Sequence, residues 1–336
     1  MQYSRLGNSG LIVSRVCLGT MVFGEAGGRG TDSGTATAMI QSFVQSGGNF
    51  IDTADVYSNG RSEEIVGAAI QQFPRDKIVL ATKGRFPTGT DPNAQGLSRK
   101  HIVEAVHSSL RRLRTDFLDV YYLHMWDPVT PLEETVRTMD DLVRQGKVRY
   151  FGLSNFRAWQ AMKIQALVRS VGIPCIAAQY QYSLVVRDIE YELPSFCAEE
   201  GLGIVPWGPL GGGFLSGKYS SQSKPSKGRL ASATDEQEES WSRRATERNW
   251  RILTEVNKLA SSYRASTPQV ALAWLLAQAQ VDSVIIGART PDQMEDNLAS
   301  VDLQLKAAEL AKLNDVSRLQ ELYPYRMIDD YGSREY

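Results

Sequence analysis

The chain has 336 residues, of which 42% are hydrophobic and 22% charged, a composition typical of a globular protein with a large core. Its 37 basic and 38 acidic residues leave a formal net charge of −1, which argues against a nucleic-acid or anionic membrane partner. The first residues carry no signal-peptide core and no apolar run approaches the ~18 residues of a membrane span, so we expect a cytoplasmic protein.

Cysteine usage gives no sign of a disulfide framework or a metal site. Cys17, Cys175 and Cys197 are odd in number and far apart in the chain, which fits neither paired disulfides nor zinc-ligand spacing. We therefore predict a reducing compartment and no bound metal. Cys17 and Cys175 lie in apolar runs, where a cysteine usually serves as a small buried hydrophobic residue.

The predicted elements alternate between strands and helices. Residues 1–13 predict a hairpin around Asn8-Ser9-Gly10 that would cover one end of a barrel. Strands are predicted at 15–19, 50–52, 78–83, 118–124, 148–154, 175–179, 203–207 and 283–287. Helices are predicted at 33–45, 61–71, 98–113, 131–144, 155–168, 190–200 and 269–278. This order predicts an α/β protein, a (β/α)8 TIM barrel formed by residues 1–336 as one domain.

Two segments do not fit a bare barrel. Residues 211–242 are rich in glycine, serine, lysine and glutamate and are much longer than a usual connection between a strand and a helix. We expect a long loop at the C-terminal face that acts as a lid or a clamp. A helix is predicted near 307–319, and residues 320–336 form a tail that either covers the site or extends into solvent.

Polar residues follow three of the predicted strands. Asp52, Lys83 and His124 each end a short apolar run, and Tyr57 lies on the loop after the first of these runs. Because the carboxyl ends of barrel strands meet on one face, these four side chains are expected to share a pocket. The alternative is a structural ion pair between Asp52 and Lys83, with Tyr57 and His124 as solvated loop residues.

The four side chains together suit proton transfer to a carbonyl oxygen. A free phenol has a pKa near ~10, so Tyr57 would need a cation beside it to ionise readily. A unit charge ~4 Å away interacts by about 4 kcal/mol at an effective dielectric of about 20, so we expect Lys83 to lower the pKa of Tyr57. Asp52 would keep Lys83 protonated, and His124 would hydrogen-bond the substrate oxygen.

The run from Gly47 to Tyr57 (GGNFIDTADVY), followed by Ser62, Glu63, Glu64 and Gly67, resembles the signature of the aldo-keto reductases. The segments around Lys83 and His124, and the run 146–155, resemble that family's motifs in the same order. The resemblance covers almost the whole chain. It implies that Asp52, Tyr57, Lys83 and His124 are the family's catalytic tetrad.

The resemblance also implies a nicotinamide cofactor bound across the barrel mouth. No GxGxxG motif lies between a strand and a helix, so no Rossmann-type site is expected. Arg289 offers a planar fork suited to a 2′-phosphate, so we predict NADPH/NADP+ rather than NADH. The predicted cofactor-binding residues are Gly19, Thr20, Met21, Asp52, Ser154, Asn155, Gln179, Trp207, Gly208, Pro209, Leu210, Gly212, Lys218, Gly287, Arg289, Gln293, Asp296 and Asn297.

The function that the resemblance implies is hydride transfer between NADP(H) and a carbonyl or alcohol, which would be an aldehyde, a ketone or a sugar. Tyr57 would act as general acid or base, and the substrate pocket would include Phe23, Tyr57, His124, Trp126 and tail residues such as Tyr323. The alternative is a cofactor-sensing regulatory subunit, like the channel β-subunits that the family also resembles. The lack of an obvious exposed apolar helix or an added N-terminal segment argues against that alternative, and the oligomeric state stays open.

Overall fold

The computed structural model describes residues 1–24, 30–221, 223–226 and 228–332. It begins with an antiparallel hairpin of β1 (Tyr3–Arg5) and β2 (Ile12–Ser14), in which Tyr3 lies opposite Ser14. Leu6 and Val13 of this hairpin are fully buried against residues of the barrel interior. The hairpin therefore closes one end of the barrel, as the sequence predicted.

Eight parallel strands form the barrel. They are β3 (Val16–Gly19), β4 (Phe50–Asp52), β5 (Val79–Gly84), β6 (Leu118–Leu123), β7 (Val148–Ser154), β8 (Cys175–Gln179), β9 (Gly203–Ile204) and β10 (Val284–Gly287). The strand order is β10-β3-β4-β5-β6-β7-β8-β9, with each neighbouring pair parallel. A bridge between Ile204 and Val281 and a hydrogen bond from the Ile285 amide to the Pro206 carbonyl at 3.0 Å join the two edges. The predicted (β/α)8 barrel is confirmed.

Helices surround the strands. They are α1 (Ser33–Gln45), α2 (Arg61–Ile70), α3 (Arg99–Leu113), α4 (Leu132–Arg144), α5 (Ala158–Val171), α6 (Leu193–Glu200), α7 (Arg229–Ser232), α8 (Trp241–Arg244), α9 (Glu247–Tyr263), α10 (Thr267–Leu276), α11 (Pro291–Leu298), α12 (Ala307–Val316) and α13 (Tyr325–Tyr331). Short 3-10 helices lie at Tyr57–Gly60, Arg75–Lys77, Asp188–Tyr191, Phe214–Ser216 and Ala299–Asp302. Ser98 is the N-cap of α3, because its hydroxyl accepts from the His101 amide.

Two apolar cores hold these layers together. The larger lies between the helices and the outer faces of the strands, and the smaller fills the barrel interior with side chains such as Phe50, Val120 and Ile176. Side chains of alternate strand residues point to opposite faces, so most strands contribute to both cores. The filled interior leaves the C-terminal mouth of the barrel as the place for a site.

The structure corrects several predicted boundaries. The strand predicted at 203–207 is only Gly203–Ile204, and the helix predicted at 190–200 is a 3-10 turn at Asp188–Tyr191 followed by α6. The prediction contained no helix over Glu247–Tyr263, yet α9 has 17 residues there. Segment 211–242 contains α7 and the start of α8 rather than loop alone. The tail contains α13, and its residues 333–336 lie outside the described residues.

Candidate active site

The four polar residues that the sequence places near strand ends lie together at the barrel mouth. Asp52 ends β4, Lys83 lies near the end of β5, His124 follows β6, and Tyr57 begins the 3-10 helix after β4. The Lys83 ammonium donates to Asp52 Oδ1, to the Thr53 carbonyl at 2.8 Å and to the Tyr57 hydroxyl at 3.2 Å. The Tyr57 and His124 rings meet edge to face, with centroids 6.1 Å apart. One hydrogen-bonded chain therefore links the carboxylate, the amine and the phenol beside the imidazole.

Lys83 and Asp52 form a buried ion pair, since their side chains are 0% and 3% exposed. Burial disfavours the protonated form of Lys83 and by itself lowers its pKa. The interactions with Asp52 and Tyr57 raise this pKa by more, so the pKa of Lys83 lies above its usual value. Burial raises the pKa of Asp52, a rise that Lys83 and Gln179 oppose. The Gln179 amide donates to Asp52 Oδ2 at 2.9 Å, so both carboxylate oxygens are bonded. The pair thus holds a fixed positive charge against Tyr57.

The pKa of Tyr57 differs in direction from the sequence-based expectation. Burial raises this pKa above its usual value, and the opposing effect of Lys83 does not cancel that rise. The prediction was wrong because it weighed the nearby charge without the loss of water around the phenol. Tyr57 therefore keeps its proton through neutral pH, which is the form that a general acid requires.

His124 is a neutral imidazole in this site. Burial, with Lys83 and Arg85 adding to it, holds the pKa of His124 well below its usual value. Its Nδ1 is buried and has no hydrogen-bond partner within the described residues. The Phe86 ring packs edge to face on the imidazole at 4.7 Å, and the Asn155 side chain donates to the His124 carbonyl at 3.0 Å. A neutral ring fixed in this way can offer one N–H donor to a ligand.

Unusual backbone conformations occur on both sides of this cluster. Ser58 and Asn59, which follow Tyr57, have φ values of 48° and 54°, and Asn155 after β7 has a φ of 59°. Non-glycine residues in this left-handed region are uncommon and concentrate at ligand and catalytic sites. The conformation of Asn155 also explains why α5 begins at Ala158 and not at residue 155, where the sequence predicted its start.

A cavity of about 1790 Å³ opens above the cluster. Small-molecule sites usually occupy roughly 300–1,000 Å³, so this one has room for a large cofactor together with a substrate. Its lining includes Tyr57 and His124 and all the residues predicted to bind the cofactor: Gly19, Thr20, Met21, Asp52, Ser154, Asn155, Gln179, Trp207, Gly208, Pro209, Leu210, Gly212, Lys218, Gly287, Arg289, Gln293, Asp296 and Asn297. The residues predicted to bind the cofactor therefore all lie on the wall of one cavity.

Two neighbouring cations line the cavity. Lys218 and Arg289 are both lining residues, and neither forms an ion pair with an acid within the described part of the chain. Burial and the nearby Arg289 lower the pKa of Lys218, as expected for cations that face each other. Gln293 lies on α11, and its side chain accepts from the Arg289 amide at 3.0 Å. The Lys218 and Arg289 side chains are cationic hydrogen-bond donors that fit the phosphate groups of a dinucleotide.

Three residues predicted for the substrate pocket lie elsewhere. Phe23 is fully buried in the outer core, and Trp126 packs on Phe156 and Trp159 with centroid distances of 5.7 and 5.9 Å. Tyr323 of the tail is 78% exposed. None of the three is among the lining residues in the described ranges.

Phe86 and Arg229 are among the cavity residues that the sequence analysis did not name. Phe86 follows β5, lines the cavity and packs on the His124 ring. Arg229 of α7 pairs with the buried Glu239 at 2.5 Å and is close enough to Tyr57 to lower its pKa. The position of Phe86 just after a strand end was a usable signal. No such signal marked Arg229, because α7 lies far along the chain from every strand end.

The described residues include no group of three or more His, Cys, Asp or Glu side chains arranged to hold a metal ion. In the same ranges, no helix combines the length and the hydropathy that a bilayer span requires.

The fold and the site define a (β/α)8 barrel protein with an Asp-Tyr-Lys-His cluster at its mouth. The family model described as "Aldo/keto reductase family" matches residues 15–318. The chain belongs to the aldo/keto reductase family.

Three similar proteins include both reductases and a channel subunit. Versiconal hemiacetal acetate reductase of Aspergillus parasiticus is 34% identical, over 96% of this chain and 99% of its own length. A probable voltage-gated potassium channel subunit beta of Oryza sativa subsp. japonica is 37% identical, over 90% of this chain and 92% of its own. Norsolorinic acid reductase of Aspergillus flavus is 33% identical, over 98% of this chain and 84% of its own. The family thus includes both reductases and a channel subunit among this chain's relatives.

Proposed function

We propose that this protein is an NADP(H)-dependent oxidoreductase that interconverts a carbonyl compound and its alcohol. The observation that carries this proposal is the hydrogen-bonded chain Asp52–Lys83–Tyr57 beside neutral His124, at a cavity that Lys218 and Arg289 also line. Relatives named as reductases support the same reaction class.

In the reducing direction, Tyr57 donates its proton to the substrate oxygen. The phenolate left behind is stabilised by the Lys83 ammonium at 3.2 Å, and Asp52 keeps that ammonium charged. His124 donates a hydrogen bond to the same oxygen and orients the carbonyl carbon. When bound, the cofactor supplies a hydride to that carbon, and with the proton from Tyr57 the carbonyl gains two electrons and two protons in total and becomes the alcohol. Water then restores the proton of Tyr57, and the steps run in reverse for alcohol oxidation.

The proposed cofactor contacts are side chains that line the cavity beside the tetrad. Ser154, Asn155 and Gln179 would hold the carboxamide, and Trp207 would stack on the nicotinamide ring. Residues 211–242 would act as a clamp over the pyrophosphate, to which Lys218 contributes charge. Arg289 would bind a 2′-phosphate, which is the reason for proposing NADPH over NADH.

The substrate would be an organic carbonyl compound with an apolar face. Beside Tyr57 the cavity is lined by Val56, Phe86 and Met125, which are apolar side chains. Two relatives are named for versiconal hemiacetal acetate and norsolorinic acid, and a carbonyl substrate for this chain accords with those names. Apolar walls with a few polar groups are usual for sites that select by shape.

A second candidate function is a cofactor-sensing subunit of a larger complex. It is favoured by the 37% identity to a probable channel β-subunit over 90% of this chain, an identity slightly above the 34% and 33% to the two reductases. Such a protein would bind NADPH through the same cavity and reduce carbonyl compounds slowly or not at all.

The test is NADPH oxidation, followed at 340 nm, with a panel of small aldehydes, ketones and sugars. NADH in place of NADPH tests the cofactor preference, and a fluorescence titration of NADPH measures binding separately. Turnover with a panel member supports the enzyme. Tight NADPH binding without turnover of any panel member supports the sensing subunit, and failure to bind either cofactor contradicts both.

A further inference from the structure

Asp55 lies between the residues of the proposed catalytic cluster, yet the proposed reaction gives it no role. It is two residues before Tyr57, and its backbone amide donates to the Lys83 carbonyl at 3.1 Å. The Tyr57 amide in turn donates to the Ala54 carbonyl at 3.2 Å. The turn that carries Tyr57 is therefore attached to β5 at Lys83 itself, and any shift of this turn changes the distance between the phenol and the ammonium.

The Asp55 carboxyl group is buried without a hydrogen-bonded partner. Asp55 is 3% exposed, and neither of its side-chain oxygens makes a hydrogen bond within the described residues. The hydroxyl of Tyr121 on β6, which is fully buried, also has no partner there. A Cβ at Gly84 would lie 2.2 Å from the Tyr121 hydroxyl and 3.1 Å from Asp55 Oδ2. Both groups thus face the same point, and glycine at position 84 leaves the space between them open.

The neighbouring charges do not compensate an ionised Asp55. Glu63 on α2 is fully buried nearby, and its carboxylate accepts from Arg112 of α3 and from Thr82, both at 2.6 Å. Lys83 on β5 is occupied by Asp52.

Burial is the main cause that raises the pKa of Asp55, to about 7, and Glu63 adds to it. This rise in pKa is opposed, but not cancelled, by Arg112, the Val56 amide and Lys83. A carboxyl group in this position exchanges its proton near neutral pH.

We propose that Asp55 is a positioning residue for Tyr57: its neutral carboxyl group pairs with the Tyr121 hydroxyl and holds the Tyr57 turn against β5, and loss of its proton releases that turn. This inference deepens the proposed function and rests on it for its effect on catalysis. A neutral carboxyl group can both donate to and accept from a hydroxyl, so a small rotation across Gly84 satisfies both groups. A carboxylate would be left without enough solvation beside Glu63, and movement of the turn toward water relieves that cost.

The experiment compares the wild type with Asp55→Asn, which keeps the shape and the donor capacity of the neutral acid. Asp119→Asn is the matched control, because Asp119 is also a largely buried acid with a raised pKa, but it pairs with Arg75 far from the site. Protein labelled with 13Cζ-tyrosine is titrated by NMR, and the Tyr57 signal is assigned with Tyr57→Phe. The kcat for carbonyl reduction is measured over the same pH range.

In the wild type and in Asp119→Asn we expect the Tyr57 signal to shift with a midpoint near pH 7, and kcat to fall by roughly fivefold or more across it. In Asp55→Asn both changes should be absent. A midpoint near pH 7 that persists in Asp55→Asn overturns the proposal. The proposal is also overturned if Asp55→Asn lowers kcat by the same factor at every pH, because a purely structural role would produce that result.

Thermal unfolding gives a readout that needs no substrate. The pKa of Asp55 is about 7 in the folded state, above the ~4 of an unfolded aspartate. Protonation of Asp55 therefore contributes its whole share of the free energy of unfolding below about pH 4, and this share is lost as the pH rises to 7. Between pH 5 and 8 the Tm of the wild type should therefore fall more than that of Asp55→Asn. Equal falls contradict the ionisation of Asp55. If no preparation turns over any carbonyl substrate, the proposed function has failed, and the NMR and Tm titrations still decide the role of Asp55.

Discussion

Replacing Lys83 by methionine separates the structural role of the buried pair from its role in catalysis. The substitution leaves the Asp52 carboxylate buried without its cation, and loss of one partner of a buried pair costs about 3–5 kcal/mol of the free energy of unfolding. It also removes a positive charge 3.2 Å from the Tyr57 hydroxyl. At an effective dielectric of about 20 that charge attracts a phenolate by about 5 kcal/mol, so kcat should fall by about 10²–10⁴.

The double variant Lys83→Met with Asp52→Asn tests both parts of this reasoning. A neutral amide beside methionine leaves no buried charge, so most of the lost free energy of unfolding should return, while kcat should stay low. Urea unfolding measures the first quantity, and NADPH oxidation at saturating cofactor measures the second. A Lys83→Met protein with a kcat within about threefold of the wild type would refute the catalytic role. A double variant no more stable than the single one would refute the ion-pair argument.

Four further predictions use other parts of the molecule. Arg289→Ala should raise the Kd of NADPH by about tenfold or more and that of NADH little, and equal losses in fluorescence titrations would count against a 2′-phosphate site. Phe86→Ala should raise KM more for an aromatic aldehyde than for a short aliphatic one, and equal changes would remove Phe86 from the substrate pocket. Because His124 is neutral, His124→Gln should retain more kcat than His124→Ala at every pH, which parallel pH profiles check. If residues 1–336 form one domain, calorimetry should give a single unfolding transition, whereas two separate transitions would contradict that.

The barrel and part of the cavity wall could be predicted because strand ends carry local signals. Short β-rich runs followed by Asp52, Lys83 and His124 identify both the strands and the face on which they end. The parallel register then brings those residues together without further information. For the same reason, the glycines and polar residues after β9 and β10 lie on the same cavity.

Other features depend on packing that a sequence does not specify. Trp126 was assigned to the substrate pocket by its place after β6, yet it packs on Phe156 and Trp159. The direction of the pKa shift of Tyr57 depends on how far water is excluded, which spacing alone does not give. By contrast, α9 carried a readable signal, since Ile252, Val256 and Ala260 recur at helical spacing on its buried face.

The most direct test of the central claim compares wild type with Tyr57→Phe, which removes only the phenolic oxygen. For each protein, the Kd of NADPH is measured by fluorescence, and kcat is measured at 340 nm with the best substrate of the panel. We expect the two Kd values to lie within about twofold of each other and kcat to be reduced by about 10²–10⁴ in Tyr57→Phe. A variant that binds NADPH equally well and turns over at the wild-type rate would contradict the role of Tyr57 as the proton donor.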